Sequence, residues 1–407
     1  MIIIIGLIAQ YQAIVNKKSC LILLGVVLFK YMDISFKMNH SLISELKELD
    51  NDFTDAYVLL QSCSEQELIA LHKYSLVSMI GASTRIENAQ LTDAEINWID
   101  TILTQDGHPT AFNEHRHLIE NKLSKDRERS IEEVAGCRDM LLYIYESFEE
   151  FFPLKEKDLR GLHQQLLNHY ACAKPYIGKY KTQSNSVIEY SSITNKQRVI
   201  FETAAAGPIT QTAMFELIKW YNETLPITPW PIAVSCEFVY RFLSIHPFQD
   251  GNGRLGRGLL LMSLLNSKSK TISYVAKYIP IDRFIEKYKQ EYYLALNRCS
   301  SGKFQQDSRQ YKIEYFLKFM IKVLKESIRN ISTLRARYAA EQTLSETAHT
   351  ILNCFREYPE IRLTTKKIQS ETKIPQRTVS HSLSILVKNK LIQRYGQGSG
   401  TRYQLIF

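Results

Sequence analysis

The stretch His246-Pro-Phe-Gln-Asp-Gly-Asn-Gly-Arg-Leu-Gly-Arg257 decides how the rest of the chain is read. Apolar residues at helical spacing lead into it (Val234, Phe238, Phe242, Ile245) and leave it (Leu255, Leu259, Leu260, Leu264). It is therefore a loop between two helices. Gly251 and Gly253 permit backbone conformations in which several N–H groups converge, and such a concavity at a helix start binds phosphate. Arg254 and Arg257, three apart, share one face of the second helix. Asp250 offers the oxygen ligand that suits Mg²⁺. His246 can take a proton near neutral pH. Each piece alone has a plainer reading, since Asn-Gly and Asp-Gly are common turn pairs and a lone histidine is more often structural. Together, within twelve residues, they describe a phosphate-transfer site.

At every fixed position this run resembles the signature of the Fic family, His-x-Phe-x-(Asp/Glu)-Gly-Asn-Gly-Arg-x-x-Arg, through His246, Phe248, Asp250, Gly251, Asn252, Gly253, Arg254 and Arg257. The resemblance implies a mostly α fold: a Fic-type helical domain with a small β-hairpin flap. It implies a protein adenylyltransferase that moves AMP from ATP to a Tyr, Ser or Thr hydroxyl of a target protein, and of itself. ATP would lie on the run from Gly251 through Asn252, Gly253, Arg254, Leu255 and Gly256 to Arg257, with Glu87 and Val199 also at its site. Asp250 would hold Mg²⁺, and His246 would take the hydroxyl proton. Related proteins remove AMP or transfer other phosphate-containing groups, and a DNA-binding regulator with a nucleotide-sensing domain is a further alternative.

Working outward, residues 38–155 read as an N-terminal helical region, with Glu65–Ile86 a long periodic helix. At its end stands Ser83-Thr-Arg-Ile-Glu87-Asn88. By composition this is a polar helix end, with Asn88 suited to the cap. It is also similar to the inhibitory pattern (Ser/Thr)-x-x-x-Glu-(Gly/Asn) of many Fic proteins. By that resemblance Glu87 pairs with Arg257 and occupies the fork that would grip a terminal phosphate.

The catalytic core spans 156–335. Leu162–Leu166 sits on a helix that Pro175 and Gly178 end, with His163 structural. Strand and turn sequence follows, with Arg198–Glu202 rich in β-formers. By resemblance, Val199–Glu202 is the flap edge on which a target peptide docks by strand addition; without it, the segment is a surface hairpin. Tyr292 is the tyrosine placed against the adenine.

Residues 343–407 change character. From Ile361 onward there are nine basic residues and one acid, Glu371, so the balance is +8. Helices over 348–358, 364–372 and 376–388, then a hairpin, resemble a winged helix-turn-helix with Gln376–Lys388 as recognition helix. Duplex DNA is the expected partner, with protein docking or homodimer formation the alternatives.

The whole chain has 407 residues, 45% hydrophobic and 23% charged, with net charge +9, ordinary for a globular protein of two or three domains. Its seven cysteines are odd in number and lack any C-x-x-C, which argues against a disulfide framework or zinc site and for a cytoplasmic setting. Residues 1–37 differ from the rest. Two apolar runs are divided by Lys17 and Lys18, and each is shorter than the roughly 20 residues that span a bilayer. The segment is sequence upstream of a true start at Met38, a membrane anchor or an atypical leader, the first being favoured.

Overall fold

The computed structural model describes residues 34–123, 127–191 and 196–407. The reading of the N-terminal extension falls, as far as residue 33, outside them. Helix α1 (His40–Gln61) buries Leu42, Leu46, Leu49, Phe53, Ala56 and Leu60, a stripe of alternating four- and three-residue steps. Ser64 caps α2 (Glu65–Ile86), its hydroxyl accepting from Glu67 N. The C-terminal half of α2 is sunk in the core: every residue from Ser75 to Thr84 is buried. Small side chains (Ser75, Ser78, Gly81, Ala82, Ser83) let neighbours approach it on all sides.

There follow α3 (Asp93–Ile102), a two-residue pair β1 (Thr104–Gln105) and β2 (His108–Pro109), α4 (Phe112–Leu123), α5 (Glu128–Ser147) and α6 (Glu156–Leu167). Helix α6 ends at Leu167, before Pro175, because Tyr170–Ala173 already turns back on itself through Ala173 N–H bonding Tyr170 O. The hairpin β3 (Ser186–Ser191) and β4 (Lys196–Glu202) pairs Ser186 with Glu202 and Ser191 with Lys196, with a register shift between Val187 and Ile188. Then come α7 (Pro208–Thr224), α8 (Pro231–Ile245), α9 (Asn252–Leu265), α10 (Lys270–Val275), α11 (Ile281–Lys287), α12 (Lys289–Ser300) and α13 (Glu314–Gln342). Prolines begin α7 and α8, where a missing N–H costs nothing.

Helix α13, about 44 Å long at 1.5 Å per residue, runs from this core to a second, smaller cluster. There α14 (Glu346–Glu357), α15 (Thr365–Thr372) and α16 (Gln376–Lys388) pack with the hairpin β5 (Ile392–Tyr395) and β6 (Arg402–Leu405) around Leu352, Phe355, Ile368, Leu383 and Leu386. Thr364 caps α15. The fold is mostly helical, with only short strands among the described residues. None of the described helices is long and apolar enough to cross a membrane.

Candidate active site

Helix α8 stops at His246, whose backbone is left-handed (φ 53°, ψ 59°), and α9 starts after Gly251 at φ 79°. The loop between them is tied from inside. Asn252 Oδ1 accepts from Phe248 N at 2.9 Å, and Asn252 Nδ2 donates to Phe248 O at 2.8 Å. Phe248 is fully buried and stacks on His163, ring centroids 3.9 Å apart. His163 Nδ1 accepts from Gly178 N at 2.9 Å, so its proton sits on Nε2, which donates to Asp250 O at 3.0 Å. His163 is thus a brace of the loop. Burial lowers its pKa to about 4, which keeps this tautomer neutral.

The first N–H groups of α9 lack intrahelical acceptors and open on a cleft of about 970 Å³, mouth included. His246, Asp250, Gly253, Arg254, Arg257 and Tyr292 all line it. His246 Nδ1 lies 3.2 Å from Leu243 O and donates to it, which leaves Nε2 as the acceptor. Burial lowers the imidazole pKa to about 4, against the opposing pull of Glu87 and Asp250. It is therefore an unprotonated base at neutral pH. Asp250 Oδ1 accepts from Gly251 N at 2.6 Å and lies 3.6 Å from Arg254 Nη2. Arg254 is buried beside Glu133 and Asp250, and its Nε and Nη1 make no hydrogen bond. Arg254 lines the cleft, and its positive charge there favours an anion.

Arg257 is gripped from three sides. Its Nε donates to Ser83 Oγ (3.0 Å), and Nη2 donates to Ser83 O (2.8 Å) and Glu87 Oε1 (2.9 Å). Asp282, at the start of α11, is 3.6 Å from Nε. Burial would lower the arginine's pKa, but Glu87 and Asp282 more than offset it and hold it above the ordinary value. Asp282 is itself raised to about 6 by burial, against the pull of Arg257. A Cβ on Gly253 would lie 2.3 Å from Glu87 Oε1, so the glycine is what lets Glu87 reach the anion cradle. Beyond Glu87, Asn88 turns left-handed (φ 75°) and Ala89 N donates to Thr84 O, which closes α2. Arg85 pins this end through Glu286 and Asp93.

Three expected site residues fall elsewhere. Leu255 is fully buried in the core and off the cleft. Gly256 packs α9 on α8, where a Cβ would come within 2.9 Å of Leu243. Both lie on the face of α9 that a helical period turns away from Arg254 and Arg257. Val199 is 52% exposed and off the cleft; the flap residue that lines it is Phe201. The Glu202 end of the expected docking edge is already paired, since Glu202 N donates to Gly302 O and Glu202 O accepts from Phe304 N, both at 2.8 Å. Tyr292 is buried against Phe316 and Phe319 as well as lining the cleft. The sequence reading passed over Asp282, Glu133 and Lys181. Asp282 has one local signal, a charged residue after apolar ones in Ile279-Pro-Ile-Asp282; Glu133 beside Glu132 and Lys181 in the polar run Lys179–Asn185 have none.

Residues 153–264 match the model of the Fic/DOC family. A Fido domain-containing protein of Dictyostelium discoideum is 33% identical over 97 residues, 22% of this chain and 68% of that protein. The protein adenylyltransferase Fic of Drosophila melanogaster is 23% identical over 248 residues, 60% of this chain but 45% of that protein, so the chain spans less than half its length. Among solved structures, a Fic family protein from Desulfovibrio desulfuricans has a TM-score of 0.53 at 20% identity, over 92% of this chain and 98% of its own. A Fic domain-containing signaling protein from Bacteroides thetaiotaomicron has a TM-score of 0.51 at 20% identity, over 72% and 96%. These likenesses show the fold.

Proposed function

The chain belongs to the Fic/DOC family, and from its site we propose that it is a protein adenylyltransferase held silent by Glu87. The observation that carries the reading is one cleft lined by an unprotonated His246, the helix start of α9 and the side chains of Arg254 and Arg257. ATP is the substrate. Its phosphates would lie on the N–H groups of Gly251–Gly253, with Arg254 and Arg257 neutralising the outer charge. His246 Nε2 would accept the proton of a target Tyr, Ser or Thr hydroxyl as that oxygen attacks the α-phosphorus. The bond to the pyrophosphate oxygen breaks, and AMP stays on the target. Positioning and charge neutralisation supply most of the acceleration in such transfers.

Asp250 fits a Mg²⁺ ion: it is a carboxylate at the cleft with acceptor capacity beyond the Gly251 bond. The ion, when bound, would neutralise phosphate charge. Glu87 on Arg257 supports the inhibited state, because a carboxylate in the fork excludes a phosphate from it.

Intact-mass spectrometry of the protein incubated with MgATP, with and without Glu87→Gly, tests this reading. A gain of one AMP moiety, larger in the variant, is expected. A different adduct would assign another group, and no adduct on the protein or on any added acceptor would remove the reading.

A further inference from the structure

A left-handed backbone on a residue with a β-carbon costs free energy and persists only where its surroundings fix it. At His246 much of that fixing comes from one residue 65 positions earlier, as its numbering shows. Lys181 N donates to Pro247 O at 2.8 Å, and Lys181 Nζ donates to Ile245 O at 3.1 Å. The peptide carbonyls on both sides of His246 are thus held by a single residue. Nζ gives its other two protons to Asn185 Oδ1 (2.8 Å) and Thr203 Oγ1 (2.9 Å), so all three donors are used. Asn185 Nδ2 in turn donates to Phe248 O, which extends the bracket along the loop.

Lys181 is 3% exposed, and among the described residues no carboxylate pairs with it. Burying an ammonium among neutral acceptors is costly, and burial lowers this one to about 8. A neutral donor would bridge the same carbonyls at less cost. The positive charge is therefore the feature that packing does not explain, and it sits beside the imidazole.

We propose that Lys181 is the positioning residue for the His246 base: by holding the carbonyls of Ile245 and Pro247 it keeps His246 Nδ1–H on Leu243 O and leaves Nε2 as the proton acceptor. This rests on His246 being the base of the transfer proposed above. The ammonium has a second consequence. Three charged groups act on the imidazole: Lys181 disfavours its protonation, while Glu87 and Asp250 favour it. Without Lys181 only the carboxylates act, Asp250 alone where Glu87 is removed, and the imidazole gains a proton at higher pH.

The test compares Lys181→Met and Lys181→Arg in the Glu87→Gly protein. Nitrogen NMR of the His246 ring, assigned by its loss in His246→Ala, reads tautomer and titration without needing activity. In Lys181→Met the ring should titrate at higher pH and lose its single tautomer. Its kcat should fall by about 100-fold, the scale of a small misplacement of a catalytic group, with ATP affinity held within about twofold. Lys181→Arg should restore most of both. Should Lys181→Met fail to fold, Lys181→Gln, which keeps a donor without the charge, carries the titration arm. An unmoved titration and tautomer in a folded neutral variant overturns the proposal, whatever happens to kcat. Absence of AMP transfer in the Glu87→Gly parent would instead count against the adenylyltransferase reading, and the NMR arm would still decide the role of Lys181.

Discussion

Glu87 Oε1 meets Arg257 Nη2 at 2.9 Å across 170 residues of chain. The arginine is 2% exposed, so the pair is shielded from water on that side. A hydrogen bond to a charged group contributes roughly 1.5–3 kcal/mol. Glu87→Gly should then raise AMP transfer by roughly ten- to a hundredfold, while ATP affinity changes less. Glu87→Gln should activate in part, since an amide oxygen still enters the fork. Arg257→Ala should not activate, because the same guanidinium serves the substrate. Labelled-ATP incorporation ranks the three; unchanged or lower transfer in Glu87→Gly would return Ser83–Asn88 to a simple helix end.

His246→Ala should abolish transfer and leave ATP binding within about threefold, since the base does not hold the phosphates. The pH dependence has a sign. The imidazole works only when neutral, and burial holds its pKa at about 4 rather than near 6.5. Transfer should therefore persist below pH 6.5 and decline only as pH approaches 4. A decline centred near 6.5 would mean that His246 titrates like an exposed histidine.

Gly253→Ala places a methyl group 2.3 Å from Glu87 Oε1. The glutamate is the end of a flexible side chain and can withdraw, but the methyl also fills the cradle at the start of α9. The expected result is ATP affinity weakened by about tenfold or more, equivalent to 1.4 kcal/mol, and no activation with or without Glu87→Gly. Calorimetric titration with ATP reads this directly, and a Gly253→Ala protein as active as Glu87→Gly would contradict it.

Acid should destabilise the fold through its buried histidines. His163 and His246 both sit at about 4 when folded, below their unfolded value near 6.5. Their contribution is fully present above pH 6.5 and is lost as pH falls toward 4. Asp282 acts in the opposite sense below about pH 6, because its raised pKa favours proton uptake by the folded state. His163→Gln can keep the bonds to Gly178 and Asp250 but cannot be protonated there. Its Tm should be lower at pH 7, for want of the stack on Phe248, yet should fall less steeply between pH 6.5 and 4.5. Parallel Tm curves for variant and parent would refute this.

The basic excess from Ile361 onward leads to a separate expectation of duplex DNA binding by the full chain. Affinity should drop steeply with salt if several phosphates are contacted. Arg377, at the start of α16, should contribute, so Arg377→Ala should flatten the salt dependence. If fluorescence anisotropy detects no duplex binding at low ionic strength, the module is a protein-docking element.

What the sequence by itself determined is what neighbours along the chain dictate. The loop that opens at His246 and runs into α9, its flanking helices, the shared face of Arg254 and Arg257 and the bounds of Glu65–Ile86 follow from side-chain period and backbone preference within a few residues. The resemblance of two motifs pointed Glu87 toward Arg257; the residues of Ser83–Asn88 alone describe a helix end. Only tertiary packing decided the rest. Burying α2 against α9 brings Glu87 to Gly253, and α11 slides Asp282 beneath Arg257. The segment from Tyr180 to Asn185 brackets the loop through Lys181. Leu255 and Gly256, inside the motif, turn toward the core, and Glu202 is claimed by Gly302 and Phe304. These outcomes depend on the directions in which whole helices pack, which are set by buried surface summed over the core rather than by any local run of residues.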